Sequence, residues 1–177
     1  MTTQILLAGF GGQGILFAGK VLAYCALIEG KHITWLPSYG PEMRGGTANC
    51  SVCISDEEVG SPIIQNPDIL IAMNQPSFEK FIGTVKAGGL VLSDSSIFSC
   101  EVARTDIRHV EVDATDLADK NGLQGGANMV LLGRLVKESG IFPTETIEKA
   151  LNKCVAPKRA KLIPLNMQAV ELGKNTV

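Results

Sequence analysis

Gln4-Ile5-Leu6-Leu7-Ala8-Gly9-Phe10-Gly11-Gly12-Gln13-Gly14 is the segment from which the rest of the chain can be ordered. Residues 4–8 (QILLA) form a short, nearly continuous apolar run, the pattern of a strand covered on both faces. Four glycines then fall within positions 9–14. From residue 15 the chain reads as a helix to residue 28, with Ala, Leu and Val dense enough to bury more than one face. Gly30 supplies a C-cap. Strand, glycine turn and helix in that order make a Rossmann-like start to an α/β layered domain.

The spacing Gly9-x-Gly11-x-x-Gly14 is the one in which backbone N–H groups approach a pyrophosphate at a helix N-terminus. That fingerprint also needs an acid about 20 residues further on, at the end of the second strand, to hold a ribose. Here the second strand, residues 32–36, runs into Pro37-Ser38, and Glu29 falls at the end of the preceding helix. A bound NAD or FAD is therefore not expected. Two readings of the turn stay open: glycines serving only a tight turn and close helix–sheet packing, or a contact to phosphate alone. Gln13 adds a side-chain amide at the helix mouth, within reach of a ligand or a neighbouring subunit.

Outward from this unit, β-formers return at residues 47–55 (TANCSVCIS). A short edge strand interrupted by Pro62 is expected at 59–64, and buried-type strands at 68–73 (DILIAM) and 90–94 (LVLSD). Residues 108–113 (RHVEVD) alternate and read as the last strand. Helices are expected at 76–83, opened by Pro76, and near 115–120, 127–139, 144–154 and 159–172. Strands alternating with helices predict a three-layer α/β/α domain. Its sheet is mainly parallel but mixed, with 47–64 antiparallel. Residues 1–177 form a single domain in this reading.

Pro37-Ser38-Tyr39-Gly40-Pro41-Glu42-Met43-Arg44-Gly45-Gly46 cannot be regular structure, because two prolines and three glycines break any hydrogen-bonded ladder. It follows a strand end, as the glycine turn does, so both belong on one rim of the sheet, where open α/β sheets bind ligands. Arg44 can grip a carboxylate or phosphate in bidentate fashion, or pair internally with Glu42. Tyr39 can plug the loop onto the core. Gly40, Gly45 and Gly46 allow sharp turning and close backbone approach.

The chain has 177 residues, 45% apolar and 19% charged, with a formal net charge of −2. Such a balance excludes a disordered chain and gives no global attraction to nucleic acid or an acidic membrane. Aromatic content of 5% argues against a base-stacking surface. The N-terminus has no basic export region and no apolar run approaches the roughly 20 residues of a membrane span, so a cytoplasmic location is expected. The five cysteines are read as reduced thiols. Cys50-x-x-Cys53 lies in a strand, where residues three apart point to opposite faces, so joint metal ligation is not expected. Cys25, Cys100 and Cys154 read as packing residues. His32 and His109 are isolated, and no metal site or catalytic residue is assigned. Asp94 is expected to cap a turn, Asn128 to cap or enter a helix, and Lys158, Arg159 and Lys161 to be a solvated helix start or a subunit contact.

GFGGQG with its helix, SYGPEMRGG, TANCSVCIS, PDILIAMNQPSFEKF, GGLVLSDSS, GGANMVLLGRLV and LIPLNMQAVELG together resemble the gamma-subunit family of 2-oxoacid:ferredoxin oxidoreductases. The resemblance covers essentially the whole chain. It implies a multisubunit enzyme that decarboxylates a 2-oxoacid oxidatively, here 2-oxoglutarate, forms an acyl-CoA and passes electrons to ferredoxin. It further implies thiamine diphosphate, Mg and iron–sulfur clusters in partner alpha and beta subunits, with a ferredoxin-like delta subunit as a further partner. The chain itself has no Gly-Asp-Gly thiamine motif and no ferredoxin-type cysteine run. An accessory, interface-forming role follows, inactive in isolation, with Gly9, Gly11, Gly12, Gln13, Gly14, Ser38, Tyr39, Gly40, Glu42, Arg44, Gly45 and Gly46 read as ligand or interface residues and a contribution of their shared rim to the CoA site left open. The rival reading is a free-standing nucleotide-binding protein using the glycine turn directly. A third is an oligomerising scaffold without ligand, and a homodimer contact of the isolated chain is left open.

Overall fold

The computed structural model describes residues 1–38 and 47–176. Six strands form one sheet: β1 (Thr2–Phe10), β2 (His32–Ser38), β3 (Thr47–Ser55), β4 (Ile69–Ala72), β5 (Leu90–Asp94) and β6 (Arg108–Val112). Their order is β2-β3-β1-β4-β5-β6. β1, β4, β5 and β6 are parallel, while β3 is antiparallel to both β1 and β2. β1 is central because it is apolar on both faces: Ile5 and Leu7 enter one core and Leu6 the other.

The larger core lies under α1 (Ile15–Ile28), α3 (Ala114–Lys120), α4 (Ala127–Ser139), α5 (Thr144–Cys154) and α6 (Leu162–Asn175). α4 is buried along residues 127–136, which its amino-acid pattern alone would not require. α6 lies across it so closely that a Cβ built on Gly133 would overlap the Val170 carbonyl, and one on Gly173 the Val130 carbonyl. Two glycines thus let the helices meet backbone to backbone. On the opposite face the layer is thin: α2 (Gln75–Phe81), the 3-10 turn after it and residues 95–107 cover Leu6, Leu70 and Val91 with Phe78, Val85 and Phe98.

The expected strand at 59–64 does not form, and the segment joins β3 to β4 as irregular chain. Pro62 has no N–H to give, and both sides of β3 are already taken by β1 and β2. The last helix also starts later than expected, because residues 157–159 form a separate 3-10 turn begun by Pro157. The mixed sheet with helices on both faces is as expected from the alternation of apolar runs.

Candidate functional site

At the β1/β4 boundary the connections diverge: α1 carries the chain to the β2–β3 side, and β4 begins the parallel half through β5 to β6. Such a switch point opens a crevice beyond the carboxyl ends of the strands. The glycine turn fills this position, with Gly11 and Gly12 exposed. Gly12 has φ 97° and Gly14 φ 74°, conformations that favour glycine.

Gln13 is committed to holding the turn. Its Oε1 accepts from the Phe10 N–H at 2.6 Å and from Asn74 Nδ2 at 3.4 Å, while Nε2 donates to the Met73 carbonyl at 2.8 Å. One amide thereby ties the end of β1 to the end of β4. Asn74 in turn caps α2, its Oδ1 accepting from the Ser77 N–H at 2.8 Å. A Cβ on Gly9 would come within 2.6 Å of Gln13 Oε1, so this glycine is needed for packing.

The start of α4 meets the same turn. Asn128 Nδ2 donates to the Gly14 carbonyl at 3.1 Å, and a Cβ on Gly14 would overlap that amide. Beside this junction lies an open cleft of about 440 Å³, lined by Gly14, Phe17, Gly125, Asn128, Lys158 and Arg159 among others. Neither α1 nor α4 has an acidic residue in its first turn or a side-chain N-cap. Among the described residues, neither Lys158 nor Arg159 is in an ion pair. Two helix N-termini and two cations around one cleft make a donor set for an anion. Lys158 and Arg159 are exposed, in keeping with the solvated helix start or subunit contact expected of them; what the sequence did not show is that they share a cleft with Gly14 and Asn128.

Ser38 and Phe10 end strands that run the same way, opposite Asn49 and Thr47 of β3. The two ends therefore share a rim. The Ser38 side chain, however, lines a groove with Leu6, Leu36, Asn49, Ser51 and Ile63 on the α2 side, away from the cleft. Tyr39, Gly40, Glu42, Arg44, Gly45 and Gly46 lie outside the described residues. β3 also separates β1 from β2, so the end of β2 stands two strand spacings, about 9.6 Å, from β1. An acid there would not sit where the dinucleotide fingerprint places it.

Cys50 lies in the larger core and accepts from Trp35 Nε1 at 2.9 Å, and Cys53 is buried on the other side of β3. Burial pushes the Cys25 and Cys50 thiols up to about 12. With Cys154 at the end of α5, these four positions do not converge as an iron–sulfur cluster requires. Asp94 is fully buried and caps as expected. It accepts from the Ser96 N–H at 3.2 Å, the Thr115 N–H at 3.3 Å and the Thr115 hydroxyl at 2.6 Å. One grouping was not foreseen: Cys100, from the segment before β6, meets His109 and Glu111 on the α2 side of that strand.

Fold and site define an α/β protein with a glycine turn at its switch point, a cleft lined by two cations beside it, and no described helix long and apolar enough to cross a membrane. Residues 4–176 match the model of the pyruvate ferredoxin/flavodoxin oxidoreductase family, and the chain belongs to that family. It is 41% identical over 172 residues to the ketoisovalerate oxidoreductase subunit VorA of Methanothermobacter thermautotrophicus. That match covers 96% of this chain but only 35% of the relative, so the chain spans about a third of that protein's length. It is 35% identical to the 2-oxoglutarate synthase subunit KorC of Methanothermobacter marburgensis, covering 100% of this chain and 97% of the relative. Among solved structures it is similar to the gamma subunit of a keto/oxoacid ferredoxin oxidoreductase from Geobacter sulfurreducens. There the TM-score is 0.81 and the identity 31%, covering 97% of this chain and 95% of the other.

Proposed function

We propose that this chain is the gamma subunit of a cytoplasmic, multisubunit 2-oxoacid:ferredoxin oxidoreductase, and that its cleft takes a phosphate group of coenzyme A. The observation that carries the second part is the convergence of two uncapped, acid-free helix N-termini with Lys158 and Arg159. Anionic phosphate is favoured at such a place by the oriented N–H groups and by the cations together. Gly14 and Asn128 bring the starts of α1 and α4 to the cleft, Gln13 and Asn128 hold the turn rigid, and Arg44, which lies outside the described residues, is proposed as a further phosphate-binding cation. Oxidative decarboxylation and electron transfer belong to partner alpha and beta subunits and a ferredoxin-like delta subunit. They carry thiamine diphosphate with Mg and the iron–sulfur clusters, because this sequence has no Gly-Asp-Gly motif and its thiols are dispersed. The near full-length match to KorC supports 2-oxoglutarate as the oxoacid.

The test uses the assembled enzyme. Lys158→Glu with Arg159→Glu is expected to raise the KM for CoA at least about tenfold, the loss of roughly one charge-assisted contact, with the oxoacid KM unchanged. Arg44→Ala is expected to act in the same direction. A CoA KM unmoved by any of these changes removes this chain from the CoA site. Co-purification that brings no thiamine-diphosphate-binding partner removes the subunit assignment itself.

A further inference from the structure

The thin face of the sheet holds a grouping that the CoA reading does not use. His109 and Glu111 lie two residues apart on β6 and so project to the same side. Cys100 comes from the segment between β5 and β6, which packs on that side with Phe98, Val102 and Ile107. One ligating atom from each of Cys100, His109 and Glu111 lies within 4.8 Å of the others. β6 is three strands from β1, so the grouping is about 14 Å across the sheet from the glycine turn.

We propose that Cys100, His109 and Glu111 bind a divalent cation of the zinc class. Thiolate, imidazole and carboxylate are the three donor types that such an ion takes, and three protein ligands leave a fourth position for water. Tetrahedral bonds of about 2.0–2.3 Å place ligands roughly 3.4–3.8 Å apart, so side-chain rotation of about 1 Å closes the set.

The surroundings fit this occupant. The imidazole is fixed, with Nε2 against Ser93 Oγ at 2.7 Å and the ring tilted 49° on Phe78 at 5.4 Å. Ser93 is buried, and its bond leaves Nδ1 as the ligating nitrogen, the orienting arrangement common behind metal-bound histidines. Burial also lowers the basicity of His109, which favours the neutral form that a metal needs. Glu111 has no ion-pair partner among the described residues. The Cys100 thiol is pushed up by burial and then by the nearby Glu111 and Glu79 carboxylates. Among the described residues neither of these acids is in an ion pair, so a cation would relieve the two acids and the thiol together.

The full chain, stripped of metal, should be titrated with Zn²⁺ against a chromophoric chelator and with Co²⁺ by absorption. One equivalent per chain is expected, with a thiolate-to-cobalt charge-transfer band. The band should vanish in Cys100→Ser and persist in Cys53→Ser. Glu111→Gln, at an exposed position that leaves folding intact, should weaken Zn²⁺ at least about tenfold, and Ser93→Ala about 10–100-fold. Affinity unchanged in Glu111→Gln, a charge-transfer band retained in Cys100→Ser, or no binding above weak surface association would overturn the proposal.

Discussion

Gly14 shows how one position can be fixed twice over. Its φ of 74° disfavours a side chain, and Asn128 occupies the space where a Cβ would go. Gly14→Ala is expected to cost about 2–4 kcal/mol, the left-handed strain plus the overlap. In an Asn128→Ala background only the strain of roughly 1–2 kcal/mol should remain. Urea denaturation of the two single variants and the double variant gives the coupling; additive costs would mean that the two residues do not meet. The buried thiols make a second residue-scale prediction. Cys25 and Cys50 ionise near 12 in the folded chain, against 9.0 ordinarily. The unfolded state therefore releases these protons first as pH rises, so stability falls from about pH 9 upward and is unaffected by them below that. Each thiol steepens the fall by at most about 1.4 kcal/mol per pH unit. Cys50→Ala should reduce that slope by an amount that grows from about 0.1 proton at about pH 8 to about one proton at about pH 10.5, measured by denaturation across that range.

Among the elements, the α4–α6 contact is the least forgiving. Gly133 and Gly173 each face a carbonyl of the other helix, which cannot rotate out of the way as a side chain can. Gly133→Val or Gly173→Val is expected to cost at least about 3 kcal/mol by calorimetry, while Gly60→Val, with open space around it, should change stability by less than about 0.5 kcal/mol. Asp94→Ala should cost about 2–4 kcal/mol, because it strips three hydrogen bonds from the turn after β5 and the start of α3. These costs also mark what could be read from the chain beforehand. The apolar runs at 4–8, 68–73 and 90–94 and the CxxC in β3 were legible, because alternation and burial are local properties. The Val59 segment was misread, since a strand needs a partner and β3 had none to spare. The contact of Gly133 with Val170 and the meeting of Cys100 with His109 were invisible, because they depend on how distant segments cross.

For the molecule as a whole, the unequal layers matter most. Five helices stack on one side of the sheet, α5 and α6 packing over α1 and α4, whereas α2 and an extended segment cover only part of the other. Leu36 and Ile63 remain 38% and 65% exposed there, beside the groove that Ser38 lines. Apolar surface left at a sheet edge by a chain of this family is where a subunit contact would bury most. Leu36→Glu with Ile63→Glu is expected to leave the Tm of the isolated chain within a few degrees and to weaken its recovery with partner subunits on gel filtration.

The β2–β3 ladder carries one more consequence. Its seven paired positions hold from His32–Ser55 to Ser38–Asn49, and β1 locks β3 from the other side. The register of β2 against β3 is therefore set by the ladder itself, with β1 behind it. Such a ladder behaves as a clamp: β2, at the edge of the sheet, is held along its whole length by its one neighbour. Exchanging residues 39–46 for a relative's segment is therefore expected to keep the Tm within a few degrees of the parent, measured by calorimetry.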